Sequence, residues 1–247
     1  MDPRDVLDTL IWAADAGQSA MGAIGDWGLS GKRPTQYNSD VAADEAILEI
    51  LVSEGFGILS EETGRLHPDR PLTAVVDPLD GSTNAHRGLP WFATSIAVVD
   101  EQGLLASLVV NHVSGDSFSA LRGDGAFLNN MPMTRPDPPA MSDAIISISG
   151  LPSHNFGWAQ FRCYGALALD LTGVARGNFD GYVDCSDDAH GVWDYLGALH
   201  VCQELGIPVV DALGRDLLVL DFEARRTPVC ALDQLLLDEL LTQRMRD

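Results

Sequence analysis

Apolar residues near the start of the chain recur at helical spacing. Val6, Leu7, Leu10, Ile11, Ala14 and Met21 predict a helix over residues 3–24, with Asp2-Pro3 as its cap and first turn. A glycine-bearing, basic stretch over residues 28–39 predicts a loop. A second helix is expected from Ser39 or Asp40, burying Ala43, Ile47, Ile50 and Leu51 and ending at Gly55. The period then changes. Residues 56–60 and 72–78 read as strands, the second cut by Pro78. Residues 91–100 and 104–113 flank a turn at Glu101–Gly103 and read as a hairpin. Shorter strands at Ser117–Leu121 and Ala126–Leu128 continue the sheet.

Pro132, Pro136, Pro138 and Pro139 mark residues 131–140 as an internal joint, too short for a flexible linker. It divides the chain into lobes of residues 1–140 and 141–247, joined as one compact unit. Beyond it, strands are expected at residues 144–149, 180–184, 207–211 and 216–221. Helices are expected at Leu167–Ala175, Trp193–Leu205 and Leu232–Met245. Alternation of strand and helix argues a layered α/β arrangement.

Composition narrows the function. Apolar residues make up 46% of the 247, enough for a real core. Thirty-six acidic residues face 15 basic ones, and the net charge of −21 disfavours nucleic acid and anionic membranes as partners. Cys163, Cys185, Cys202 and Cys230 lie far apart, so reduced thiols are expected rather than a zinc or disulfide framework. Cys163 and Cys202 are expected to be buried, and Trp12, Trp27, Trp91 and Trp158 to be core or interface. No signal peptide and no apolar run of about 18 residues is present, which fits a cytoplasmic protein.

Three acidic groups sit where strands end or helices begin: Glu61-Glu62, Asp77-Pro-Leu-Asp80-Gly-Ser, and Asp194. Such ends are where α/β sheets bind ligands. Pro78 biases Asp77 to an extended conformation and holds Asp77 and Asp80 on one turn. Paired carboxylates repel unless a cation sits between them, and oxygen donors suit a hard one such as magnesium. Gly81 permits close approach, and the Gly81 and Ser82 amides are candidate phosphate donors. The plain alternatives are a surface turn for the hexapeptide, a solvated edge for Glu61-Glu62 and a helix cap for Asp194.

The strings SEETG (60–64), DPLDGSTN (77–84), GDGAFLNN (123–130), ALALDLTGVARGNFDGYVD (166–184) and WDYLGALHVCQELG (193–206) occur together. In them the chain resembles the inositol monophosphatase family, from about Lys32 to about Leu220, with a shorter loop between Glu61 and Asp77. The resemblance implies a layered α/β/α/β/α sandwich, as in fructose-1,6-bisphosphatases, and a homodimer. It implies a phosphomonoesterase that uses two or three magnesium ions and is inhibited by lithium. Glu61, Asp77 and the Leu79 carbonyl correspond to ligands of one ion, and Asp77, Asp80 and Asp194 to ligands of a second. Glu62 corresponds to an acid beside a metal-held water. Ser82 replaces the family's usual Thr and would orient the attacking water, with Asp40 accepting its proton. Gly81 and Ser82 would bind phosphate, and Asp80, Gly165 and Ala166 would line the substrate site.

Three departures bear on specificity. Ala85 follows Asn84 where the family has Phe, opening space. Leu167 is larger than usual and would narrow the pocket. The segment 184–192 is longer than usual, so Asp184 or Asp187 would hold a substrate hydroxyl, with Asp184 favoured. The expected substrate is inositol monophosphate or a similar polyol or sugar phosphate. Fructose 1,6-bisphosphate, 3′-phosphoadenosine 5′-phosphate and histidinol phosphate are the in-class alternatives, and a non-catalytic binding protein is the other class. With Lys32 the single lysine, cations for a second phosphate are scarce. His190 could face the pocket or cap a loop, and the cap is favoured; His86 and Arg87 read as a solvated loop, with contact of Arg87 to a second anionic group as the alternative; Lys32 could lie on the mobile loop that closes over the metals in this family.

Overall fold

The computed structural model describes residues 2–246; Met1 and Asp247, the ends of the two expected lobes, lie outside it. Helix α1 (Pro3–Ala23) starts where the Asp2 side chain accepts the Arg4 amide. Helix α2 (Asn38–Ser53) starts one residue earlier than the pattern suggests, and Gly55 follows it with φ +90°.

The first sheet has eight strands in the order β2-β1-β3-β4-β5-β6-β7-β8. They are β1 (Gly57–Ser60), β2 (Gly64–Leu66), β3 (Thr73–Asp80), β4 (Ala93–Asp100), β5 (Gly103–Asn111), β6 (Ser117–Leu121), β7 (Gly125–Leu128) and β8 (Met131–Pro132). Strands β1 and β3 run parallel and the other neighbours antiparallel. Pro78 does not end β3. Pairing with β4 shifts between Asp77 and Asp80, and Pro78, which has no N–H, sits in that irregularity. Helix α3 (Ser82–Arg87) follows directly.

The second sheet has the order β10-β9-β11-β13-β12. Its strands are β9 (Ile145–Ser149), β10 (Gln160–Arg162), β11 (Gly181–Asp184), β12 (Val209–Asp211) and β13 (Pro228–Ala231). Residues 216–221, expected as a strand, form none; the sheet takes β13 instead, where Val229 and Cys230 alternate between two cores. Helices α4 (Leu167–Arg176), α5 (Val192–Glu204) and α6 (Gln234–Arg244) complete the chain.

Side-chain alternation along the strands builds five layers. Ile58, Ala74, Val76, Ile96 and Val98 pack under α1 and α2. Leu59, Val75, Ala97 and Val109 point the other way, onto α4 and α5, and the same core reaches Tyr182 and Cys230 of the second sheet. Val183, Val229 and Ala231 face α6 on the far side. The order is α/β/α/β/α. Gly197 lets α5 lie against the first sheet, since a Cβ there would come within 2.5 Å of Ser95 Oγ. Trp158 is buried, but Trp12 is 56% exposed on α1 and so is no core residue. Cys163 is exposed, against expectation, because its loop stands outside the sheets; Cys202 is buried. Leu167 is buried in the central core and not left to narrow a pocket.

Candidate active site

Burial of β1 and β3 delivers their C-terminal acids to one place. Glu61 follows β1, Asp77 lies in β3, and Asp194 is the third residue of α5, which crosses beneath them. One oxygen of each lies within 4.8 Å of the others. Burial, then neighbouring acids, raises Glu61 and Asp77 well above the usual carboxylate range. Such a group needs protons or a cation to persist, and oxygen-only donors fit a hard divalent ion such as magnesium.

Each ligand candidate is fixed by the backbone. Asp77 accepts the Leu79 amide at 3.0 Å across the irregularity at Pro78. Asp80 accepts the Ala168 amide at 2.7 Å, at the start of α4, and stands outside the group of three. Its carboxyl is also raised, by burial first and then by Asp194. Asp194 accepts the Gly191 amide at 2.8 Å.

Gly81 adopts φ +83° and caps α3. A Cβ there would lie 2.9 Å from the Trp91 carbonyl and 3.1 Å from Ala166 Cβ, so glycine is required. Asn84, one turn on, donates to the carbonyls of Trp91 and Tyr164 at 2.8 and 2.7 Å. It ties the Gly81–Ser82 turn to the loop carrying Gly165 and Ala166.

Ser82, Asp40, Glu61 and Glu62 line one cavity of about 250 Å³. Asp40 accepts the Tyr37 amide at 2.8 Å through Oδ2, while its buried Oδ1 has no hydrogen-bond partner among the described residues. Burial pushes its pKa up to about 7.

Asp184 ends β11 and is fully buried, with a pKa pushed up to about 6 by burial. Asp187 is exposed and paired with Arg244 at 2.5 Å. Of the two candidates, Asp184 is the buried one, beside His190. The imidazole of His190 spans the space between Asp184 (3.5 Å) and Asp194 (3.2 Å). His190, open to two readings in the sequence, as a pocket-facing residue or a loop cap, lies between these two acids. Burial lowers its pKa, and the Asp194 hydrogen bond with the surrounding acids outweighs this, leaving it raised.

Three further residues were missed. Arg33 and Gln36 both donate to Glu62, so Arg33, and not Lys32, is the loop cation at the site. Asp44 accepts the hydroxyls of Ser60 and Thr63, which bracket Glu61-Glu62. Its signal was a second acid four residues after Asp40 on a buried helix face. Arg87 is exposed; His86 stacks on Tyr37 and bonds the Trp27 carbonyl.

The chain is similar to several known proteins. An inositol-1-monophosphatase of Caulobacter vibrioides is 32% identical over 200 residues, covering 72% of this chain and 77% of that one. A fructose-1,6-bisphosphatase/inositol-1-monophosphatase of Methanothermobacter thermautotrophicus is 30% identical, covering 97% and 91%. A solved structure from Pyrococcus horikoshii, described as having similarities to inositol-1 monophosphatase, shares the fold with a TM-score of 0.84. It is 24% identical and covers 97% of each chain. The pattern that defines the inositol monophosphatase family matches residues 30–246, and the chain belongs to that family.

Proposed function

We propose that this chain hydrolyses inositol monophosphate, or a similar small polyol or sugar phosphate, with magnesium. Family membership makes it a phosphoric monoester hydrolase. The observation that carries the finer reading is the carboxylate group of Glu61, Asp77 and Asp194 beside the Gly81–Ser82 turn.

Glu61 and Asp77, with the Leu79 carbonyl, are the proposed holders of one ion; Asp77, Asp80 and Asp194 hold a second. Bound magnesium supplies Lewis acidity toward the phosphoryl oxygens and the attacking water. The Gly81 and Ser82 amides hold the phosphate for in-line attack. Ser82 orients the water and passes a proton toward Asp40, whose raised pKa of about 7 suits it to accept one near neutrality. Glu62 fixes the water's other side. Asp184 accepts a hydroxyl of the alcohol, and Gly165 and Ala166 border it. A third ion, lithium inhibition, a homodimer and a cytoplasmic location are carried with this reading. So is the division into lobes at about residue 140, which the separate sheets support.

A bisphosphate is the second reading, favoured by the name of the Methanothermobacter relative. Arg33, the cation lining the cavity, is already paired with Glu62, which favours monoesters. The net charge of −21 opposes nucleic acid and membrane partners.

The test is phosphate release from a panel of monoesters and bisphosphates, with magnesium, with and without lithium. Preference for inositol or sugar monophosphates, lost without magnesium and blocked by lithium, is expected. Release from a bisphosphate or nucleotide alone would replace the substrate. No release from any of them would sink the reading.

A further inference from the structure

Residues 185–191, between β11 and α5, form neither a helix nor one of the named strands, yet they are held from several directions. Arg244, on the last turn of α6, donates Nε to the Asp184 carbonyl at 2.7 Å and pairs with Asp187 at 2.5 Å. Arg215 pairs with Asp188 at 2.7 Å. The same guanidinium clasps the buried Asp211 through Nε and Nη2, at 2.7 and 2.9 Å. Asp211 also accepts the Thr227 amide at 2.8 Å, and the Thr227 hydroxyl accepts the Asp188 amide at 3.0 Å. His190 and Arg226 exchange backbone hydrogen bonds at 3.3 and 2.8 Å.

Stability alone accounts poorly for this arrangement. Asp187 and Asp188 have side chains 71% and 53% exposed, and ion pairs at such positions add little to folding. Their arginines are differently placed. Arg244 has a side chain only 12% exposed and grips the main chain of Asp184 itself. Arg215 is locked in a two-point pair, which fixes direction as well as distance. The segment that both arginines hold carries the His190 imidazole, set between Asp184 and Asp194.

We infer that Arg215 and Arg244 are positioning residues that fix segment 185–191 as the alcohol-side wall of the active site. The wall thereby sets which alcohols are accepted. This rests on the reading of Asp184 as the hydroxyl contact. The physical reason is tolerance: a binding group displaced by about 1 Å loses most of its benefit, and a segment without helix or strand needs outside support. A leaving group with no hydroxyl makes no demand on Asp184 or its wall, so it reports on the rest of the site.

The test compares wild type, Arg244→Ala, Arg244→Lys and Arg215→Ala on two esters. One is inositol 1-phosphate; the other is p-nitrophenyl phosphate, whose leaving group has no alcohol hydroxyl. Hydrogen exchange across residues 185–191 is measured on the same samples. For Arg244→Ala we expect KM for inositol 1-phosphate to rise about 10-fold while kcat stays within about 2-fold. p-Nitrophenyl phosphate kinetics and magnesium affinity stay within about 2-fold, exchange in 185–191 quickens about 10-fold, and Arg244→Lys recovers part of the loss. Arg215→Ala moves in the same direction and serves if Arg244→Ala fails to fold. Equal losses on both esters, or unchanged exchange, would overturn the inference. Quickened exchange with unchanged preference would overturn the selection of alcohols. A wild type inactive on both esters would instead overturn the phosphatase reading, and the selection claim with it.

Discussion

Asp40 and Asp194 occupy the same station in two different helices. Each is the third residue, of α2 and α5, and each accepts its own N-cap amide, from Tyr37 and from Gly191, at 2.8 Å. The helix start thus orients the carboxyl. The two helices lie on opposite faces of the first sheet. They bring acids from above and below to the ends of β1 and β3, which supply Glu61 and Asp77. A rigid five-layer scaffold therefore places four carboxyls without needing a long loop.

Asp77 is buried and accepts the Leu79 amide. Asp77→Asn keeps the shape and removes one charge from both proposed ion positions. Turnover should fall below about a thousandth, with magnesium affinity lost. The metal-free protein should melt higher, because buried repulsion is relieved. Calorimetric magnesium titration and a thermal melt check both halves. Activity near wild type would discard the two-ion assignment.

The same repulsion gives metal-free protein an unusual pH response. Glu61, Asp77 and Asp80 are raised by burial, Asp40 to about 7 and Asp184 to about 6. A carboxyl with a raised folded pKa binds protons more readily in the folded state. Its stabilising share is full below the unfolded value near 4 and is lost as pH climbs toward the folded one. His112 and His200, held near 4 by burial, oppose this, but they are fewer. Melting of metal-free protein should therefore rise on acidification from pH 7.5 to 5.5. Saturating magnesium, which favours the ionised acids, should reverse the slope. Parallel slopes in both conditions would contradict this account.

Ser82 begins α3 in the cavity that also holds Asp40. Ser82→Ala removes the hydroxyl and leaves every proposed ligand. Rates should fall about 100-fold or more with magnesium affinity unchanged, and Ser82→Thr should restore them. Stopped assays at saturating magnesium measure this. A wild-type rate in Ser82→Ala would mean that the water is oriented by another group.

Much of this was legible beforehand, because the signals were local. Glu61 follows β1, Asp77 and Asp80 lie in the last residues of β3, Asp194 opens α5, and the glycine at 81 is demanded by its φ. The strand through Pro78 was misread because a proline normally ends a central strand, whereas here the register shift absorbs it. Strand β13 was missed, and residues 216–221 were chosen wrongly, since both runs are apolar and only long-range pairing with β11 decides between them. The places of Arg33, His190 and Arg244 depend on contacts spanning loops and both sheets, for which no sequence period exists.

Asp44 carries the last prediction. It is buried on α2 and is not one of the proposed ligands, but it accepts the hydroxyls of Ser60 and Thr63 on either side of Glu61-Glu62. The Ser60 hydroxyl in turn accepts the Glu62 amide at 3.1 Å, so the whole turn hangs from one carboxyl. Burial raises that carboxyl, and the two hydroxyl bonds oppose the rise. Asp44→Asn replaces one acceptor oxygen by a donor and sets it against one of the hydroxyls. Outer partners of this kind change metal affinity by about 10- to 100-fold. Magnesium affinity should weaken by that order, with kcat largely recovered at high magnesium and KM for substrate little moved. If instead kcat fell at saturating magnesium while affinity held, Asp44 would be supporting Glu62 and not the ligand Glu61.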